Sequence, residues 1–270
     1  MARLLLFALA LLAVTALPAR AAVVCTLLAD AATGAVLLEE GDCDRPVTPA
    51  STFKVPLAVI GFETGLLEGP HAPVHPYRPG DPDWGGEAWT QDTDPARWMR
   101  HSVLWYSWHI TAPLGAEALS RHAAALGFGN ADFTGDPGFG NGLERAWISS
   151  SLLITPREQA AFLRGLANGT LPVSARSMDL TRALLPVFEA GGWQVAGKTG
   201  GAYPRRADRS FDRSRGIGWF VGWAERDGRR VIIVRLTQDE ARTQGSPGIR
   251  ARDALLAEWP ALVGRIGMAD

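Results

Sequence analysis

Two short runs in the chain hold residue types that together can open an amide. In Ser51-Thr52-Phe53-Lys54 a hydroxyl and an amine stand three residues apart, so on a helix both project from one face. A serine hydroxyl is a poor nucleophile near neutral pH until a base takes its proton. Lysine is that base only if desolvation keeps it neutral or if it is chemically converted into another group. Phe53, Val55, Pro56 and Leu57 supply apolar surroundings for such an amine. In Lys198-Thr199-Gly200-Gly201 a cation and a hydroxyl can face a substrate anion while glycines let it approach the backbone. Each run alone also fits a commonplace feature: a capping serine ahead of an exposed lysine, or a hairpin turn with a solvated one.

These residues need elements to hold them. The segment Ser51 to Leu67 reads as a helix with Ser51 at its N-terminus, the position where backbone N–H groups lack partners. Before it, Thr26–Asp30 and Ala35–Glu39 flank a Thr33-Gly34 turn and read as a hairpin. Cys25 and Cys43, the only two cysteines, lie at its ends; a disulfide between them is the simple reading, two free thiols the other. Pro70 to Asp94 is rich in Pro, Gly, Asp and Trp and reads as a long ordered loop anchored by Trp84 and Trp89. Helices are expected over Met99–Ile110, Gly115–Leu126, Thr155–Leu166 and Ala175–Glu189, the third opening on a capping box, Thr155-Pro156-Arg157-Glu158. Strands are expected over Trp193–Lys198, Gly216–Trp223 and Arg230–Arg235, with a last helix from Gly248 to Trp259. The sum is an α/β (α+β) fold: a mainly antiparallel sheet flanked by helices, with a helical lobe inserted at roughly 70–190.

The first 21 residues, with Arg3, an apolar run from Leu4 to Leu17 and Pro18-Ala19-Arg20-Ala21, have the layout of a secretory signal peptide cleaved after Ala21. A retained membrane anchor needs about 20 apolar residues, more than this run has. The expected mature chain, 22–270, then resides in the periplasm or outside the cell, where disulfides persist. Without Arg3 and Arg20 it has 25 basic against 28 acidic residues, a balance of about −3 with no long block of either sign. Nucleic acid and anionic membrane are therefore not expected partners. His71, His75, His101, His109 and His122 form no ligand-dense cluster, so no metal is expected.

In this order within one chain, Ser-x-x-Lys and Lys-Thr-Gly form the two-part signature of penicillin-recognising serine enzymes. Further runs narrow it. Ser102-Val103-Leu104, Phe128-Gly129-Asn130, the stretch Trp147–Leu163 with Ile154-Thr155-Pro156-Arg157-Glu158-Gln159, and Gly218-Trp219-Phe220-Val221-Gly222-Trp223 resemble the class D (oxacillinase-type) serine β-lactamases, over nearly all of the expected mature chain. The Ser-Asp-Asn run and Glu-bearing loop of class A enzymes are not evident.

The resemblance implies a penicillin-recognising fold and hydrolysis of β-lactams, penicillins foremost, through an acyl-Ser51 intermediate. It implies Lys54 as the base after carboxylation by carbon dioxide (N6-carboxylysine), with the Trp147 indole N–H as donor to that group and no metal or organic cofactor. Ser51 and Gly201 N–H groups would form the oxyanion hole, and Ser102 would relay a proton to the departing nitrogen. Lys198, Thr199, Gly200 and Arg250 would gather around the substrate carboxylate, while Leu104 and Ile148 roof the modified lysine. For Trp147 a plain core role, and for Arg250 a plain helix-surface role, are the alternatives. Leu104 stands where the family usually has Val, and Phe128 where it usually has Tyr; the bulkier Leu104 narrows the path of water to Lys54. The competing functions are a β-lactam sensor or trap that acylates without hydrolysing, and a cell-wall peptidase of the same fold. The basic stretch Tyr203 to Arg215 reads as a solvated hairpin tip, ahead of a cleft-lining loop.

Overall fold

A computed structural model describes residues 21–268, so the leader expected over 1–21 lies outside the described residues but for its last. Six strands form one sheet: β1 (Ala22–Asp30), β2 (Val36–Gly41), β3 (Val187–Ala190), β4 (Trp193–Ala202), β5 (Ile217–Arg226) and β6 (Arg229–Gln238). Their order is β2-β1-β6-β5-β4-β3, and every neighbouring pair is antiparallel. The first hairpin thus sits beside the last strand, which closes the chain's two ends onto each other. Cys25 and Cys43 are disulfide-bonded, as expected, with Cα atoms 5.1 Å apart. A loop of that size stabilises the fold by roughly 3 kcal/mol in the chain-entropy view.

Strand periodicity divides the core. In β5, Trp219, Val221 and Trp223 join the apolar cluster that includes Phe53, Trp98, Phe128 and Trp147, while Phe220 and Ala224 point the other way, into a cluster with Trp193, Leu255 and Trp259. Side chains alternate between faces with period two, so both faces must be covered. The helices α1 (Lys54–Glu63) and α5 (Pro156–Asn168) cover the first, and α7 (Pro247–Arg265) covers the second. Between α1 and α5 come α2 (Pro95–His101), α3 (Leu104–Ala125) and α4 (Gly142–Arg145), and α6 (Ala175–Leu184) leads into β3.

Several sequence readings change here. The helix expected over Ala175–Glu189 stops at Leu184 because Pro186 drives Leu185 to ψ 131°, and 187–190 become a sixth strand. The helix expected over Met99–Ile110 breaks at Ser102, whose left-handed φ of 57° ends α2. Gly115, at φ 74° and ψ 163°, kinks α3 where a separate helix was expected to begin. Trp89 is a buried anchor as expected, but Trp84 is not; it is 71 % exposed and lies on Trp89 at 4.3 Å between ring centroids. The capping box at α5 is complete: the Thr155 hydroxyl accepts from the Glu158 N–H, and the Glu158 carboxylate accepts from the Thr155 N–H.

Candidate active site

Ser51 does not open an α-helix. It lies in a 3₁₀ turn, Ala50–Phe53, that runs directly into Lys54 as the first residue of α1. Residues three apart eclipse one another in a 3₁₀ helix, so the turn sets Ser51 and Lys54 on one side. Behind it, Thr52 Oγ1 donates to the Pro49 carbonyl at 2.7 Å and accepts from Gln159 Nε2 at 2.8 Å. Trp219 Nε1 donates to the Thr48 carbonyl at 2.9 Å. The backbone around Ser51 is therefore tied to both α5 and β5.

The Lys54 side chain is 1 % exposed, and its Nζ has no hydrogen-bond partner among the described residues. Burial, with the charge of Lys198 adding to it, holds this amine well below the usual lysine range. Trp147 is buried, its ring 5.1 Å from that of Phe53, the residue that precedes Lys54. Phe128 fills the core between Phe53 and Phe162, at 5.9 and 5.3 Å, where a tyrosine hydroxyl would need its own partner. Leu104 is buried at the start of α3 and Ile148 half-buried after Trp147.

Opposite stands Lys198, which donates to Ser102 Oγ and, at 3.0 Å, to the Thr199 carbonyl. Burial, and then Arg252, pull its pKa down to about 7. Ser102 reaches it by virtue of its left-handed backbone, and the Trp89 indole supports that turn by donating to the His101 carbonyl at 2.8 Å. Ala50, Ser102 and Ser149, at φ 50°, 57° and 52°, are three of the six non-glycine residues with positive φ among the described residues. Such strain persists where surrounding structure over-determines it, and here it flanks each of the three segments that meet.

β3 pairs only as far as Ala196, so the Lys198–Ala202 end of β4 has the Ser51 turn for its neighbour on that side. Gly200 makes the approach possible: a Cβ there would lie 2.8 Å from the Pro49 carbonyl oxygen. Gly201 is exposed and pairs with Gly218 on β5, and Thr199 is half-buried. The fold thus brings Ser51, Lys54, Ser102, Trp147, Lys198, Thr199, Gly200 and Gly201 into one neighbourhood from five separate elements.

Two expectations gain detail. The Arg250 guanidinium pairs with Asp239 and donates to the Gln244 and Gly245 carbonyls, which ties the start of α7 to the end of β6. The 203–215 connection has the expected exposed hairpin tip at 206–210, above an antiparallel bridge between Arg205 and Phe211, and Arg205 and Arg209 also reach Asp136 at 3.2 and 3.1 Å. Sequence reading also passed over Thr48. Its Oγ1 donates to the Trp147 carbonyl at 2.8 Å and accepts from the Ser149 N–H at 2.9 Å, joining the nucleophile's turn to the Trp147 segment. A hydroxyl three residues before Ser51, next to a proline, was the only signal.

Lys198 carries a stability consequence. With a folded pKa of about 7 against the usual lysine value of 10.5, the unfolded chain holds this proton through that interval and the folded chain does not. Stability from this site therefore rises as pH climbs from about 7 to about 10.5 and is flat beyond either end. In carbon dioxide-free buffer, Lys198→Met is expected to be the more stable protein near pH 7, with the difference in urea midpoint shrinking toward pH 10.5. A difference independent of pH would refute the depressed pKa.

Known proteins share this arrangement over most of its length. Residues 24–257 match the penicillin binding protein transpeptidase domain family. Beta-lactamase OXA-9 of Klebsiella pneumoniae is 39 % identical over 241 residues, 89 % of this chain and 88 % of that one. Beta-lactamase OXA-1 of Escherichia coli is 29 % identical over 232 residues, 84 % and 80 % of the two chains. The crystal structure of OXA-427 class D β-lactamase superposes with a TM-score of 0.81 at 41 % identity, covering 90 % of this chain and 99 % of that one. Motifs, sheet order and these relatives agree, and the chain belongs to the class D β-lactamase family.

Proposed function

We propose that the protein hydrolyses β-lactam antibiotics, penicillins foremost, through an ester on Ser51, with Lys54 as the general base once carbon dioxide has carboxylated it. The observation that carries this reading is the buried, unpartnered Lys54 amine. A neutral amine is the form that reacts with carbon dioxide, and burial keeps Lys54 neutral at ordinary pH. Carboxylation also changes the local electrostatics: a neutral amine beside Lys198 becomes an anion that attracts the Lys198 cation. The residues fit the modified side chain, with Trp147 able to donate its indole N–H and Leu104 and Ile148 to shut out bulk water. When present, the carboxylated amine supplies an anionic proton acceptor that a bare lysine lacks.

The chain's own groups account for the rest. The Ser51 hydroxyl attacks the lactam carbonyl, and Ser51 and Gly201 N–H groups face the oxygen as it gains charge. The C–N bond breaks, and the Ser102–Lys198 pair delivers a proton to the departing nitrogen. Lys198, Thr199 and Arg250 receive the substrate carboxylate. Water then cleaves the ester and restores Ser51. The disulfide supports an oxidising compartment, periplasmic or extracellular; among the described residues no helix is long and apolar enough to cross a membrane.

Excess benzylpenicillin tests the reading. Many turnovers per enzyme are expected, suppressed after dialysis into acidic bicarbonate-free buffer and restored by bicarbonate. A single stoichiometric burst leaving a stable adduct on Ser51 would mark a trap and refute hydrolysis. Turnover indifferent to bicarbonate would refute carboxylation of Lys54.

A further inference from the structure

The segment 132–151, which carries α4 and Trp147, is organised around one carboxylate. Asp136 is 7 % exposed, and its oxygens accept from Ser150 Oγ at 2.8 Å, Asn141 Nδ2 at 3.1 Å, Arg205 Nη2 at 3.2 Å and Arg209 Nη2 at 3.1 Å. Arg145 Nε lies 3.8 Å away. These partners have a pattern in the sequence. Arg145 stands two residues before Trp147 and Ser150 three after it, so the carboxylate holds both flanks of the indole. Arg205 and Arg209 belong to the β4–β5 connection, which begins two residues beyond Gly201. A second tie lies alongside, with Ser149 Oγ donating to the Tyr203 carbonyl at 2.7 Å.

The charges explain why so much converges on one group. Three guanidiniums share a single carboxylate, and Arg145 is disfavoured as a cation first by burial and then by Arg205. Burial opposes the ionisation of Asp136, but hydrogen bonds from Ser150 and Asn141, with the charges of Arg205 and Arg145, outweigh it and hold the carboxyl below its usual range. Removing that one negative charge leaves three partly desolvated cations facing one another, a repulsion that separates the β4–β5 connection from the Trp147 segment.

We infer that Asp136 is a positioning residue for the hydrolytic reaction: it locks the 203–215 connection onto the 132–151 segment and so keeps Trp147 against Phe53, beside Lys54. The part of this that concerns Lys54 rests on the carboxylation proposed above. Outer partners that orient a site's first ligands have effects of this kind when they are removed, without touching the reacting atoms.

The isosteric Asp136→Asn variant tests it through readouts other than activity. Trypsin cleaves after arginine, and the connection contains Arg205, Arg206, Arg209, Arg213 and Arg215. Nicking there is expected to accelerate about tenfold, and the bicarbonate concentration that half-saturates the carbon-13 signal of the modified lysine to rise about tenfold. The KM for benzylpenicillin should stay within about twofold, with the loss falling on kcat. Asp136→Glu should restore part of each effect. Faster nicking with unchanged half-saturation and unchanged kcat would reduce Asp136 to a structural tie and overturn the inference; so would unchanged nicking. If the wild-type protein takes up no carbon-13 label, the carboxylation of Lys54 fails instead, and the inference then stands on faster nicking together with a fall in kcat and is overturned by an unchanged kcat. Should Asp136→Asn not fold, Arg209→Gln, at the exposed edge of the cluster, is expected to shift the same readouts in the same direction, and no shift overturns the inference.

Discussion

Lys54→Met is expected to lower penicillin turnover by about 10³-fold, to leave a long-lived ester on Ser51, and to raise the stability of the fold. Methionine keeps the length and flexibility of the lysine stem while removing the amine. Loss of the base slows both halves of the reaction, but not equally. Attack by Ser51 retains the geometry of the 3₁₀ turn and the donors around the carbonyl, whereas water arriving past Leu104 has no such positioning. The ester therefore accumulates and is read as a mass increase equal to that of the drug. The stability gain follows from burial. An amine 1 % exposed and without a hydrogen-bond partner among the described residues costs roughly 1–3 kcal/mol relative to an apolar group of similar shape. The comparison belongs in carbon dioxide-free buffer, so that wild-type Lys54 carries the bare amine. A variant that is less stable than wild type there, or one that turns over at the wild-type rate, contradicts the role assigned to Lys54.

The sequence made the local chemistry legible and left the assembly largely hidden. Ser51, Lys54 and Lys198 stand in short runs whose residue types have few other joint uses, and the strands around Trp193, Trp219 and Ile233 show their period directly. Thr155 and Glu158 announce a helix start because both halves of a capping box lie within four residues. What escaped depends on partners distant in sequence. The left-handed turn at Ser102 is favoured by Trp89 and Lys198, and nothing in Trp98-Met99-Arg100-His101-Ser102 breaks a helix by itself. Thr48 acquires its role only when the Trp147 segment arrives about one hundred residues later in the chain. Arg250 shows the converse. A short motif match suggested a ligand for substrate and left hidden the pairing with Asp239, which follows β6 directly. Motifs report the groups that a reaction needs; they do not report which neighbours have already claimed them.

Gly200→Ala is expected to reduce kcat/KM by about 10²–10³-fold although the substitution adds one methyl group and touches no reacting atom. The added Cβ would lie 2.8 Å from the Pro49 carbonyl oxygen, 3.0 Å from Thr52 Cγ2 and 3.2 Å from the Thr52 nitrogen. Two of these are backbone atoms, which cannot rotate aside as the end of a side chain does. The turn is also fastened from behind by Gln159 through Thr52 and by Trp219 through the Thr48 carbonyl, so it cannot retreat cheaply. On its other side β4 is held just as closely, since a Cβ on Gly248 of α7 would come within 2.4 Å of the Gly200 carbonyl oxygen. The strain must appear as a tilt between the turn and the strand, at a cost of about 1–3 kcal/mol in stability. That tilt moves the Gly201 N–H relative to the Ser51 N–H, and two donors that must meet one oxygen lose their common focus. Because the transition state carries the charge, kcat for acylation should fall while KM changes little. A variant with wild-type kcat and only lowered stability would show that the contact between β4 and the Ser51 turn is packing alone, and that the oxyanion is held elsewhere.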